Sequence, residues 1–153
     1  MVRVIDGDSV LVLDRDHVQH RVRLAGIDVP ERGQPFGERS KQSLARLVAG
    51  NAVKIRWHKR DRYGRLVGQV WVASPDAGCQ GAGCQGAGCP KTLDAGFAQL
   101  TVGLAWHFKK YAQEQSEEDR ERYAFAEAEA RARRVGLWRD RAPVAPWEWR
   151  KGR

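Results

Sequence analysis

The sequence predicts an α+β fold, a small β-structure laid down first with most of its helix added afterwards. Three observations carry this. Alternating or continuous apolar runs broken by polar turns fill most of residues 2–73; apolar residues spaced three and four apart occur once inside that stretch and twice after it; and strands and helices do not alternate as a parallel sheet requires. The 153 residues allow one domain, long enough to bury a core without staples. Hydrophobic residues make up 42% and charged residues 30%, which is not the composition of a disordered chain. No apolar run approaches the roughly 20 residues of a membrane-spanning helix.

Each element has a local reason. Residues 2–5 and 10–13 alternate or run apolar around Asp6-Gly7-Asp8-Ser9, which reads as strand, tight turn, strand, with Gly7 expected to supply a positive φ. Asp14-Arg15-Asp16-His17 is a second polar turn, and Val18 to Ala25 a third strand ending at Gly26. Pro30 stops any simple continuation through Ile27-Asp28-Val29, and residues 31–35 are loop. Phe36 to Ala49 has helical spacing, with Gly50 as its C-terminal stop. Ala52 to His58 and Leu66 to Ala73 are two more strands, joined by the polar turn Lys59 to Arg65. A second helix is expected over Leu93 to Leu104 and a third over Glu117 to Arg134, the latter capped by Ser116 with Asp119 and closed by Gly136. Five strands and three helices in this order suit a five-stranded Greek-key barrel of the OB type. Residues 1–142 form the domain, and 143–153, with their prolines and tryptophans, are expected to be an irregular tail.

An insertion at about residues 75–91 interrupts this pattern with an AGCQG repeat carrying Cys79, Cys84 and Cys89. Their spacing matches no common zinc pattern. Small residues without apolar periodicity read as a Gly-rich surface insertion, although three thiolates could hold a soft metal.

Lys+Arg 27 against Asp+Glu 19 gives a net charge of +8, with arginine in excess. A guanidinium pairs two phosphate oxygens at once, so the excess points to phosphate-bearing partners, although an anionic membrane surface would suit the charge equally. Asp8 and Asp28 each sit just past a strand end, where turn chemistry alone accounts for either. Arg23 and Arg65 change that reading. An arginine inside or opening a strand needs a carboxylate, a phosphate or open water, and both could face one site together with Glu31.

These residues resemble a family. Val-Ile-Asp-Gly-Asp-Ser at 4–9, Arg-Leu-Ala-Gly-Ile-Asp-Val-Pro-Glu at 23–31 and Asp-Arg-Tyr-Gly-Arg at 61–65 resemble the three motif blocks of the staphylococcal nuclease family. Gly103-Leu104-Ala105-Trp106, Gly136-Leu137-Trp138 and the Pro-Trp-Glu-Trp-Arg tail are similar to the helical end of that family. The resemblance implies an OB barrel with three helices and a Ca²⁺-dependent endonuclease acting on DNA and RNA to leave 3′-phosphates. It implies Asp8 and Asp28 as calcium carboxylates, the Val29 carbonyl as a backbone ligand and Asp6 as a nearby carboxylate. It further implies Arg23 and Arg65 as the phosphate clamp, Glu31 as the group that activates or positions water, and Tyr63 and Tyr111 along the nucleotide pocket. Ser9 replaces the family's usual threonine, and Lys109 stands where the best-known member has a pocket tyrosine. The expected state is a monomer without an obligate protein partner or membrane contact. No signal peptide is visible, and a start in mid-strand suggests a trimmed chain whose longer precursor is secreted or periplasmic. The alternative reading is a catalytically inactive OB module that binds nucleic acid or protein, against which stands the complete set of Asp8, Asp28, Arg23, Glu31 and Arg65.

Overall fold

The computed structural model describes residues 2–74 and 90–152. The cysteine repeat and nearly all of the expected insertion lie outside the described residues. Five strands of five to seven residues correspond to those read from the sequence: β1 (Val2–Asp6), β2 (Ser9–Leu13), β3 (Gln19–Leu24), β5 (Lys54–Arg60) and β6 (Leu66–Val72). They lie side by side in the order β1-β2-β3-β6-β5, with β3 and β6 parallel and the other pairs antiparallel. This is the strand order of an OB barrel, and the fold is α+β. Three two-residue strands join them. The pair β4 (Ile27–Asp28) and β8 (Trp106–His107) forms a separate ladder, and β7 (Leu93–Asp94) pairs with β6.

Alternation explains the barrel. Leu66, Gly68, Val70 and Val72 of β6 are buried while the residues between them are half-buried, and Val10, Val12 and Val22 fill the same interior from β2 and β3. Full burial of each such side chain contributes about 1.5–3 kcal/mol. The helix α1 (Gly37–Val48) closes the barrel with Ser40, Leu44 and Val48, four residues apart on one stripe, and Gly50 follows at φ 73°. The helix α2 (Ala95–Thr101) starts two residues later than expected. Leu93 and Asp94 are drawn into pairing with β6, and the Asp94 carboxylate accepts from the N–H groups of Gly96 (3.0 Å) and Phe97 (3.4 Å) as the cap. The helix α3 (Glu117–Arg133) has the expected cap, Ser116 Oγ accepting from the Asp119 N–H at 3.1 Å.

Two sequence expectations are corrected. Gly7 does not adopt a positive φ. Glycine is required there because an added Cβ would run into the side chain and backbone of Ser40 on α1. The tail is not irregular either: Pro146–Lys151 form a short helix, α4, with proline in its first turn. Its anchor is a second apolar cluster outside the barrel, in which Trp106, Ala130, Leu137, Trp138 and Ala145 are buried and Trp147 packs against them. Trp147 meets Trp106 edge-on at 5.5 Å and stacks on Phe108 at 5.6 Å, and Arg131 lies over Trp138 at 4.3 Å. Trp106, Trp138 and Trp147 are packing anchors, and they place the last turn of the described chain over β4. Among the described residues, no helix is long and apolar enough to cross a membrane.

Candidate active site

The β1–β2 turn, β3, β4 and the loop after β4 meet at one point. The Asp6 carboxylate accepts from the Asp8 N–H at 3.1 Å, the Asp8 carboxylate accepts from Ser9 Oγ at 3.2 Å, and the Leu24 N–H donates to the Asp8 carbonyl at 2.8 Å. Pairing of Ser9 with Arg23 across β2 and β3 brings the Asp8 carboxylate beside the Arg23 side chain. Beneath the turn, Gln99 Nε2 donates to the carbonyls of Gly7 (3.0 Å) and Ser40 (2.8 Å), and Ser40 Oγ donates to the Leu104 carbonyl at 2.8 Å. The turn that presents Asp8 is thus tied to α1 and α2.

Arg23 sits between two carboxylates. Its Nη1 lies 3.0 Å from Asp8 and donates to the Leu24 carbonyl at 2.9 Å, and its Nη2 lies 3.6 Å from Asp28. Asp8 is 6% exposed and Asp28 2%. Burial pushes the Asp8 carboxyl well above the usual range; the Arg23 charge opposes this, and Asp6 and Asp28 reinforce it.

Glu31 is held beside them by its loop. Its N–H donates to Gln34 Oε1 at 2.8 Å, the Gln34 N–H donates to the Glu31 carbonyl at 2.9 Å, and Gln34 Nε2 reaches the Val144 carbonyl at 2.7 Å. The loop is therefore fastened to the segment leading into α4. Val29, expected as a carbonyl donor, is buried directly after β4.

Arg150, on α4, was not singled out from the sequence. Its Nη2 donates to Asp28 Oδ2 at 2.7 Å, and its Nη1 donates to Glu31 Oε1 at 2.6 Å and Asp28 Oδ1 at 3.3 Å. These bonds, those to Asp28 first, hold the guanidinium still more firmly in its charged form.

From this cluster a groove of about 980 Å³ runs past β5 and the β5–β6 turn. Arg56, Lys59, Arg60, Arg62 and Lys110 line it with Trp57, Tyr63 and Tyr111, which are 51%, 59% and 41% exposed. Arg62 lies over Tyr63 at 4.9 Å and Lys59 over Tyr111 at 5.2 Å. Arg65 lines the same groove, but its Nε donates to Asp61 at 2.7 Å and its guanidinium lies over Tyr63 at 5.5 Å. Burial works against the Asp61 charge, yet the Arg65 and Tyr63 N–H groups and the Arg65 side chain hold its carboxyl below the usual range. The structure thus gathers Asp6, Asp8, Arg23, Asp28 and Glu31 in one cluster and places Tyr63, Arg65 and Tyr111 along the groove leading from it. Trp57 also went unmarked in the sequence. Its signal is a large aromatic among five basic residues between Lys54 and Arg60.

A family model described as staphylococcal nuclease homologue matches residues 21–140. The chain belongs to the staphylococcal nuclease family. Relatives run along nearly all of it. A protein named ParB from Escherichia coli is 39% identical over 152 residues, which is 99% of this chain and 77% of that protein. A micrococcal nuclease from Shigella flexneri is 36% identical over 152 residues, 99% of this chain and 79% of its own length. An endonuclease of Escherichia coli O157:H7 is 33% identical over 150 residues, 98% of this chain and 82% of its own. As a member of the staphylococcal nuclease family the chain is a nuclease, a hydrolase of nucleic acid. The groove suits such a substrate. Cations on its wall attract the phosphate backbone and exposed rings offer faces to bases.

Proposed function

We propose that this nuclease is a Ca²⁺-dependent endonuclease that cuts DNA and RNA with little sequence preference and leaves 3′-phosphate ends. The observation that carries this reading is Arg23 held between the buried carboxylates of Asp8 and Asp28 at the head of a basic, aromatic-lined groove.

The donor set supports the cation. Every side-chain donor at the cluster's acidic face is an oxygen, which suits a hard ion. Asp8 and Asp28 are two buried carboxylates flanking one guanidinium, and a cation can be held between such groups. Two carboxylates and one carbonyl leave most of a Ca²⁺ shell open, so binding should be weak until substrate phosphate and water complete it. Asp8 and Asp28 would hold the ion with the Val29 carbonyl, and Asp6 would stand behind Asp8. Bound there, Ca²⁺ would neutralise a phosphate oxygen and make phosphorus easier to attack.

The chain's own residues perform the remaining work. Arg23 donates to the scissile phosphate from a position fixed by the Leu24 carbonyl at the end of β3. Glu31, on its fastened loop, takes or orders the proton of the attacking water. The water oxygen bonds to phosphorus as its proton passes to Glu31 or solvent, the bond to the 5′ oxygen breaks, and that oxygen takes a proton from solvent and leaves as the 5′-hydroxyl. Arg65 adds a second clamp by exchanging Asp61 for phosphate, and Tyr63 and Tyr111 stack on the flanking nucleotide.

Glu31→Gln and Arg23→Lys test the assignment, with circular dichroism and Tm as folding controls. Each is expected to lower kcat about 10²–10³-fold, the size of a lost general base or preorganised donor. Lysine keeps the charge of Arg23 and loses its fork. A folded variant with near wild-type kcat would remove that residue from the mechanism.

A further inference from the structure

Arg150 occupies both oxygens of a carboxylate that the proposed metal would need. Asp28 Oδ2 accepts from Arg150 Nη2 at 2.7 Å, and Asp28 Oδ1 is shared between Arg150 Nη1 at 3.3 Å and Arg23 Nη2 at 3.6 Å. The same Arg150 Nη1 bridges to Glu31 at 2.6 Å. The contact is built rather than incidental. The helix carrying Arg150 is held by Trp147 on Trp106 and Phe108, and its approach by Gln34 on the Val144 carbonyl. The guanidinium therefore meets Asp28 across 122 positions of sequence with its backbone already fixed.

We propose that Arg150 is a residue of the metal site that sets its affinity: a resident cation that must give up Asp28 before a divalent ion can take it. The inference rests on the metal reading above. Asp28 has no oxygen free of an arginine. A dication on either one would sit beside the Arg150 guanidinium, and like charges cannot share a buried carboxylate at low cost. The Arg150 side chain is 42% exposed and belongs to the last helical turn of the described chain, so it can swing into water without unpacking Trp147. Metal binding is thus an exchange of one cation for another, and the site's affinity is lowered by whatever the Arg150 pair contributes. That pair is partly solvated, so its worth is that of a screened, charge-assisted contact, about five- to tenfold in a binding constant.

The test is calorimetric titration of CaCl₂ alone into the wild-type protein, Arg150→Gln and Arg150→Lys at fixed ionic strength, without nucleic acid. Arg150→Gln is expected to bind Ca²⁺ about five- to tenfold more tightly than wild type, and Arg150→Lys to fall between them, because lysine keeps the charge without the bidentate fork. An unchanged or weaker affinity in Arg150→Gln, with Ca²⁺ still bound by wild type, overturns the inference and leaves the nuclease reading standing. Absence of Ca²⁺ binding in all three overturns the metal reading and this inference with it. A second measurement needs no variant to fold. In the wild-type protein the Arg150 Nη–H resonances, which bond Asp28 and Glu31, should lose their protection from solvent exchange as Ca²⁺ saturates the site, and resonances that stay protected at saturation contradict the exchange.

Discussion

Gly7→Ala probes how the fold presents Asp8. The turn has ordinary backbone geometry, so the usual reason for glycine is absent. The constraint is space. An alanine Cβ would overlap Ser40 Oγ, lie 2.8 Å from Ser40 Cβ and 3.1 Å from its carbonyl carbon, all on α1. The methyl can enter only if the turn lifts from the helix, an overpacking cost of about 1–3 kcal/mol. Lifting also stretches the 3.0 Å bond from Gln99 Nε2 to the Gly7 carbonyl, and a weakened buried hydrogen bond adds about 1–2 kcal/mol. Together these come to about 2–5 kcal/mol, a large part of the roughly 5–15 kcal/mol that holds a domain of this kind folded. At about 2–4 °C per kcal/mol, Tm should fall by about 4–20 °C. Because Asp8 rides on the same turn, kcat should fall as well at temperatures where the variant is folded. Gly64→Ala is the contrast. Gly64 has φ +80° and no neighbour within 4 Å of an added Cβ, so it should cost only the left-handed strain of about 1–2 kcal/mol. Thermal melts by circular dichroism decide the matter. A Gly7→Ala Tm within about 1 °C of wild type, or a double variant with Ser40→Gly that recovers nothing, would refute the close-approach argument.

Two further outcomes follow from the same structure. Burial, with Asp94 adjacent, pushes the Tyr123 hydroxyl well above its usual range, and that hydroxyl donates to Asp94 at 2.5 Å. The folded state therefore holds this proton more tightly than the unfolded chain, so the contribution is complete below pH ~10 and is lost as pH rises above it. Wild-type Tm should drop more steeply than that of Tyr123→Phe between pH 9 and 11, and parallel curves by scanning fluorimetry would contradict this. Trp57→Ala, measured in a Glu31→Gln background so that substrate survives, should weaken binding of a single-stranded oligonucleotide about tenfold, within the ~1–3 kcal/mol of a base on an aromatic ring. It should leave a mononucleotide unaffected, and equal loss for both would place Trp57 at the nucleotide pocket instead.

How far the sequence speaks depends on whether a residue's partner is local. Strands β2 and β6 carry their alternation within one element, α1 repeats Ser40, Leu44 and Val48 at one helical spacing, and Ser116 caps α3 three residues away. These were legible. The pairing of β4 with β8 joins Asp28 to Trp106 across about half of the chain, and two residues leave no period to read. The tail helix is six residues long, too short to be stable by propensity, and exists because Trp147 has Trp106 and Phe108 to pack on. Its one local signal is Pro146, which stands in the first turn where proline suits a helix start. The acidic cluster around Arg23 could be assembled from motif blocks because each block carries its charged residues at strand ends. Arg150 could not, since it is brought to Asp28 and Glu31 by a helix that only tertiary packing creates.

The measurement that bears most directly on the central claim is cleavage of single-stranded DNA and of RNA by the purified protein, with Ca²⁺ and with a chelator in excess, across pH 7–10. The account predicts that both substrates are cut to fragments bearing 3′-phosphates when Ca²⁺ is present and that the chelator abolishes cutting of both. Cutting that persists in the chelator, or no Ca²⁺-dependent cutting at any pH in that range, would contradict the assignment of Asp8 and Asp28 to a catalytic cation.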